Sequence, residues 1–477
     1  QWVNGPFKPF EKIQYAPSDS PQHTSKIQHP RFKISILPFK HIENTYLDYE
    51  REQLIPEKLS REGPAVVYKD FNGDGTKDLF FGGGRYQASQ LFVANRKGGY
   101  DLQDIEDFRK DDKYEDVSAT AFDADNDGDL DLYVVSGGND FKEQDQYLMD
   151  RIYINDGKAN FRRLPVFLPQ TNGSVVVADD IDNDGDQDLF VGSRSIPGAY
   201  GLSPHSFIVQ NNGNLTFDPV WKNRLGMVTD AVWHNIDDDP EKELLAVGDW
   251  MPVMVLDRQP DETYQMAILP ESLDHYGLWN SLKVVDLNQD GREDLLLGNV
   301  GQNFKWQPSK EKPVTLYLDD FDQNEQLDPL IFYDFYGTQR PFNTKDNLGQ
   351  QLPMIKKKFT SYTKFAKVES ITDLVGAKEK DILEIKKITD ARSLFFLKTD
   401  KGYQVNPLPK EAQFSSILDF YWEEESQSLY YFGNTNQFVT ELGQQTANPA
   451  AIAMFDPSQN TFEHQEFLPL PIKINPR

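Results

Sequence analysis

Short apolar runs recur along this chain, and each is entered from the same kind of polar segment. DLFFGGG (78–84), DLYVVSGG (131–138), DLFVGS (188–193), ELLAVGDW (243–250) and DLLLGN (294–299) are too short for helices and end at glycine, so they read as strands. A second apolar stretch precedes several of them, as in AVVY (65–68), SVVVAD (174–179) and LKVVD (282–286). Two further strand patterns follow, joined by turn residues: LFVANRKGGYDL, RIYINDGKANFRRL, FIVQNNGNLTFDPV, VMVLDRQPDETYQMAIL, LFFLKTDKGYQVNPL and AMFDPSQNTFEHQEFL. The N-D-G and N-N-G sequences are hairpin signals.

Between the first and second strands lies a nine-residue acidic loop of pattern D-x-[DN]-x-[DN]-G-x-x-D. Copies start at Asp70, Asp123, Asp180, Asn235, Asp286 and Asp320, so successive starts lie 53, 57, 55, 51 and 34 residues apart. A degenerate copy at Asp419 (DFYWEEESQSLYYFGN) keeps the strand and follows after 99 residues. Four antiparallel strands per unit of this length make a propeller blade. Seven loop positions predict an all-β, seven-bladed β-propeller, with one unit compressed and the next carrying an insertion. Residues 1–30 (rich in Pro, Gln and Ser) read as an extended arm or linker, and 31–477 as the propeller. The strand near Ile34 is a candidate to complete the last blade. The insertion, at about 343–387, reads as short helices (TSYTKFAKV, DLVGAKEKDILEIKK), with Ser370 and Asp373 spaced as a capping box. It is basic, with Lys356, Lys357, Lys358, Lys364, Lys367, Lys378, Lys380, Lys386 and Lys387, which suits either a solvated decoration or a docking patch for an acidic partner.

The loop also predicts chemistry. Oxygen ligands at positions 1, 3, 5 and 9, with the position-7 carbonyl, form a cage for a hard cation, most naturally Ca²⁺. An EF-hand needs a bidentate Glu at position 12, where this chain has Phe81, Val134, Val191 and Leu297. The second copy (Asp123, Asp125, Asp127, Asp129, Asp131) and the third (Asp180, Asp182, Asp184, Asp186, Asp188) place four side-chain carboxylates around one point, with Asp129 and Asp186 at the carbonyl position. Carboxylates about 4–5 Å apart repel by about a kcal/mol or more even when screened. The first copy (Asp70, Asn72, Asp74, Thr76, Asp78) and the fifth (Asp286, Asn288, Asp290, Arg292, Asp294) replace one carboxylate by an amide oxygen. The sixth (Asp320, Asp322, Asn324, Gln326, Asp328) has Glu325 where the turn prefers glycine. The fourth has Asn235 first, Pro240 for the glycine and Glu243 for the last Asp, which weakens its cage. About five structural Ca²⁺ sites are expected.

Composition narrows the partners. The net charge of −27 disfavours nucleic acid and anionic membranes. With no cysteine, disulfides, thiolate metal sites and a cysteine nucleophile are excluded. No apolar run reaches the roughly 18 residues of a membrane span. The start at Gln1, without Met or a signal-like segment, reads as a processed or truncated form.

These loops resemble the FG-GAP/VCBS repeats of integrin-type β-propellers. The longer succession resembles the C-terminal half of Bacteroidota cell-surface VCBS-repeat proteins: LSREGPA (59–65), the acidic loops, GDWMP (248–252), WNS (279–281), GNVGQN (298–303), a Lys-rich stretch and PLPKEAQF (407–414). The resemblance implies a seven-bladed propeller, export, lipoprotein anchoring, and partnership with an outer-membrane complex such as a TonB-dependent uptake system.

Loops after the second strand must emerge opposite the acidic loops. Arg85, Tyr86, Arg194, Trp250, Asn299 and Asn303 lie there and are the candidate ligand residues, suited to a peptide or a glycan. The alternative for the tryptophans is packing between blades. No catalytic residues are assigned: the seven histidines form no ligand spacing. The expected function is a calcium-stabilised binding accessory at a bacterial cell surface, with a polysaccharide lyase or lectin as the alternative.

Overall fold

The apolar runs become the second strands of antiparallel sheets. The structure is a computed structural model, and it describes residues 37–237 and 241–468. The expected arm, the strand expected near Ile34, and Asp239 and Pro240 of the fourth loop fall outside those residues. Seven sheets are present among the described residues, all in one compact unit, Phe39–Arg477.

The first four sheets each use four consecutive strands, paired in chain order, and the fourth gains a short fifth strand, Gly277–Leu278, beside its second. They are Val66–Lys69 to Tyr100–Gln103, Asp116–Phe122 to Arg162–Arg163, Asn172–Asp179 to Phe217–Asn223, and Met227–His234 to Tyr264–Ile268. The last sheet, Asp419–Glu423 to Thr461–Phe467, is built the same way. Second strands such as Asp131–Ser136 and Asp188–Ser195 are buried at every position, because both of their faces pack on neighbouring sheets.

The fifth sheet breaks the pattern. Ser281–Val285 and Asp294–Gly298 pair as expected, but the third strand is Leu394–Thr399, followed by Gly402–Pro407. The intervening residues build a sheet of their own. Its order is Thr338–Pro341, Asp328–Phe335, Val314–Asp319, Glu384–Ile388. The sheet that carries the Asp320 loop is therefore nested between the second and third strands of the fifth sheet. This corrects the reading of the 34- and 99-residue gaps as a compressed unit and an enlarged one. Both gaps come from one insertion.

Packing agrees. One apolar cluster joins the first and second sheets (Val67, Phe80, Phe108, Tyr153), and others join the second to the third, the third to the fourth and the fourth to the fifth. The fifth then packs directly on the last (Leu296, Phe395 against Phe420, Tyr431) with no sheet between. The nested sheet packs elsewhere, with Leu316, Ile331 and Ile388 against Ile55, Leu59, Trp250 and Trp306. A strap of backbone bonds ties the chain before the first sheet to the last one: Lys58 N donates to Gln437 O, Val439 N to Pro56 O, and Glu57 bridges Phe438.

The insertion is helical only in part. Helices span Lys345–Gln351, Pro353–Lys358, Tyr362–Phe365 and Ile371–Val375. Ser370 Oγ accepts from Asp373 N (3.1 Å), and Asp373 Oδ2 accepts from Glu369 N (3.2 Å). The helix ends at Gly376, left-handed at φ 86°. The DILEIKK segment, expected to be helical, instead supplies the edge strand Glu384–Ile388, paired with Val314–Asp319. The sheet partner overrides the local helical preference.

Candidate cation loops and axial cavity

Each intact loop is folded by its own carboxylates. The ninth-position Asp opens the second strand and is buried. Its Oδ2 accepts the N–H of the second loop residue: Asp78 from Phe71 (2.9 Å), Asp131 from Ala124 (2.8 Å), Asp188 from Ile181 (3.4 Å), Asp294 from Leu287 (3.0 Å) and Asp328 from Phe321 (3.1 Å). In four loops its Oδ1 accepts from the third strand, at Ala94, Asn155, Asn211 and Lys398. In the nested loop Gln351 Nε2 takes that place at 2.5 Å. The last Asp thus fastens loop to sheet.

The first Asp accepts the sixth-position N–H in all five loops, from Gly75, Gly128, Gly185, Gly291 and Glu325. The fifth residue accepts the seventh-position N–H, so Thr76, Asp129, Asp186, Arg292 and Gln326 all donate their amides inward. The sixth residue is left-handed throughout, and Glu325 accepts that conformation at φ 68°. The fourth residue is left-handed as well: Gly73, Asn126, Asn183, Gln289 and Gln323. A Cβ at Gly128 or Gly185 would meet no atom, so backbone φ and not space selects glycine there.

In three loops the carboxylates converge. Oxygens of Asp123, Asp125 and Asp127, of Asp180, Asp182 and Asp184, and of Asp320, Asp322 and Asp328 each lie within 4.8 Å of one another. Asp123 Oδ1, Asp125 Oδ1, Asp129 Oδ1 and Asp322 Oδ1 are buried and have no hydrogen-bond partner. Burial, reinforced by the neighbouring carboxylates, pushes Asp131 and Asp188 up to about 7 and Asp129 and Asp294 to about 6. These donor sets, rich in unpartnered anionic oxygen, fit a hard cation. The fourth loop keeps the fastening, with Ile236 N donating to Glu243 Oε2 at 2.8 Å, but the Lys398 ammonium sits on the Ile236 carbonyl.

The opposite ends of the sheets enclose a cavity of about 1130 Å³. Val117, Ser174, Thr229, Asn280 and Leu418, each at or just before the start of a first strand, line it together with Gly63. Six sheets therefore contribute, and the nested sheet does not. Lys58, Arg61, Asn434, Asn436 and Gln437 complete a polar wall, in which Lys40, Lys58, Arg61 and Arg194 stand beside Glu43 and Glu62. Sequence reasoning did not single out Lys58 or Arg61.

The six candidate ligand residues divide. Trp250 is 2% exposed; it packs on Trp306, and its Nε1 donates to the Tyr200 hydroxyl (2.9 Å). Asn299 is fully buried, donating to Asp390 O. Arg194 lines the cavity but is 5% exposed, clamped by Asp249, Glu62 (2.8 Å) and Glu57 (3.4 Å). These three correct the expectation of an exposed recognition surface: they pack the interior or hold buried charge. Burial raises Glu57, Glu62 and Asp249 above the usual carboxylate range, with Arg194 acting against it. Arg85 pairs with Asp140 and stacks on Phe141. Tyr86 stays 67% exposed, and Asn303 is exposed with its amide on Phe414 O.

The family model for FG-GAP-like repeats matches residues 70–134 and 123–191, spanning the first three loops. The chain thus carries FG-GAP-like repeats, and its succession of antiparallel sheets supports a β-propeller of the FG-GAP type. No curated protein matches the chain. Among solved structures, Sqt1 of Saccharomyces cerevisiae is similar at 9% identity and a TM-score of 0.40, covering 88% of this chain and 77% of that one. A Lactobacillus plantarum protein gives 7%, 0.38, and 86% and 85% coverage. An ancestral GH74 enzyme gives 10%, 0.35, and 82% and 49% coverage. Likeness at these scores adds nothing to the reading of the site. No helix among the described residues is long and apolar enough to cross a membrane.

Proposed function

We propose that this protein is a calcium-stabilised propeller module that binds a surface partner through its axial cavity. The observation that supports it is the division of labour between the two ends of the sheets. One end holds the loops with orphaned carboxylate oxygens, and the other holds a large polar cavity lined by Lys58, Arg61 and five amide side chains. In this reading the ring runs through six sheets, and the nested sheet decorates the cavity end. Ca²⁺ held by the carboxylates of the second, third and nested loops, and by the mixed sets of the first and fifth, neutralises charge that hydrogen bonds leave uncompensated. The partner is a protein of an outer-membrane or cell-surface complex, with a glycan as the second ligand class for the same amides. Extracytoplasmic placement on a Gram-negative cell follows from the resemblance of the motif succession.

Co-purification from native membranes tests this. Lys58→Glu combined with Arg61→Glu is expected to abolish recovery of the partner while leaving the melting temperature unchanged. Undiminished recovery would overturn the assignment of the cavity. A glycan array with the same pair of proteins identifies the sugar alternative by binding that the double variant loses.

A further inference from the structure

One further polar cluster belongs to none of the acidic loops. One ring nitrogen of His41, one oxygen of Glu43 and one oxygen of Glu115 lie within 4.8 Å of one another. Glu115 precedes the second sheet and is fully buried. Its Oε2 accepts from Arg85 N (2.8 Å) and from Asn44 Nδ2 (3.4 Å), while its Oε1 is buried without a partner. His41 Nδ1 and Glu43 Oε2 are likewise buried and unpartnered, although His41 Nε2 and Glu43 Oε1 bond each other at 3.0 Å. Each residue therefore keeps one atom free to ligate.

The chain is built to hold the three together. Ile42 N donates to Gln87 Oε1, and Gln87 Nε2 donates to Lys40 O, both at 2.8 Å. This lays the 40–44 segment over Gly84, where a Cβ would come within 2.5 Å of Ile42 O and 3.3 Å of His41 Cε1. Phe39 stacks on Phe81 beside it, ring centroids 4.3 Å apart. The Arg85 guanidinium is turned to Asp140.

We infer that His41, Glu43 and Glu115 form a binding site for a divalent transition metal, Zn²⁺ being the best match, at the rim of the axial cavity. An imidazole nitrogen with two carboxylates is a donor set that Zn²⁺ takes and that Ca²⁺, an all-oxygen ion, does not prefer. Ligand atoms about 2.1 Å from one ion stand no more than about 4.2 Å apart, so small rotamer adjustments suffice. Three protein ligands leave a coordination position, and His41 and Glu43 both line the cavity, so that position faces the space assigned to the partner. The site stands apart from the calcium loops and does not depend on them.

The test is titration of the full chain with Zn²⁺ by calorimetry in saturating Ca²⁺, so that the loops are already filled. One equivalent is expected to bind. His41→Ala and Glu115→Gln should each weaken binding at least about tenfold, since even loss of a hydrogen-bond partner behind a ligand costs about that much. Glu115→Gln keeps the acceptor for Arg85 N, and its melting temperature in Ca²⁺ confirms folding. Co²⁺ in place of Zn²⁺ should give a visible absorption band that His41→Ala removes. No Zn²⁺ binding, or binding unchanged in both variants, overturns the inference.

Discussion

The two ends of the sheets solve one problem in opposite ways. Both crowd carboxylates into partly dry surroundings. At the cavity end, Glu57, Glu62 and Asp249 converge on the Arg194 guanidinium, with the Tyr200 hydroxyl on Glu57 Oε1 at 3.0 Å. At the loop end, Asp123, Asp125 and Asp127 converge on one another, and backbone amides satisfy only some of their oxygens. The fold carries its own cation, Arg194, where Glu57, Glu62 and Asp249 converge. Where the loops meet solvent, the proposed Ca²⁺ takes that place. The fourth loop stands between these solutions, since Lys398 brings an ammonium to it.

The sharpest way to break the comparison is to remove divalent ions. If each filled loop adds about 2.7 kcal/mol at a hundredfold excess over its Kd, chelation should lower the melting temperature by at least about 5 °C. An identical melting curve in excess EDTA would show that the loops stand without a cation. Next in size, Arg194→Met should cost about 3–5 kcal/mol in urea unfolding, because it strands the buried carboxylates of Glu57 and Asp249 and the partly buried Glu62. That loss should be the same with and without Ca²⁺; a calcium-dependent loss would mean that the two ends are coupled.

A smaller effect separates the loops. Asp184→Ala should cost about 1–3 kcal/mol in Ca²⁺ and less in EDTA, whereas Asp239→Ala in the fourth loop should cost less in either condition. Equal losses in Ca²⁺ would place the fourth loop among the binding sites.

A pH-dependent effect concerns a carboxylate that has neither solution. Asp150 is 2% exposed and accepts from the Tyr133 hydroxyl and Ser136 N, both at 2.8 Å, while the neighbouring Arg151 turns to Asp116. Burial raises it to about 7. With the folded value above the unfolded one, about 3.9, the folded state holds the proton more tightly. Its contribution is full below about pH 4 and is lost as pH rises to about 7. Asp150→Asn should therefore gain stability relative to the parent between pH 5 and pH 8. A difference that does not change with pH would sink this assignment.

Much of the loop end was legible because its information is local. A nine-residue pattern specifies each turn, and Asp78, Asp131, Asp188, Asp294 and Asp328 sit where the pattern puts them. Even there, the left-handed fourth residue escaped notice, because Asn126, Asn183, Gln289 and Gln323 are not glycines. At the cavity end the chemistry was misjudged for Arg194, Trp250 and Asn299. The sequence pattern puts each in a loop after a second strand, yet Arg194 and Trp250 lie within the strands Asp188–Ser195 and Glu243–Met251, and each of the three is covered by chain that is distant in sequence. Glu115 and His41 carry no spacing signal at all; the fold brings them together.

The sequence by itself determined the unit: strand, acidic loop, strand, hairpin, repeated with its turn chemistry intact. Each of those choices is fixed by residues a few positions apart. Tertiary structure alone decided how the units are counted. Leu394–Thr399 pairs with Asp294–Gly298 across the whole nested sheet, and the DILEIKK segment takes a strand edge in place of a helix. Both outcomes depend on partners remote in the chain, and backbone pairing and apolar burial against those partners outweigh what the local pattern prefers.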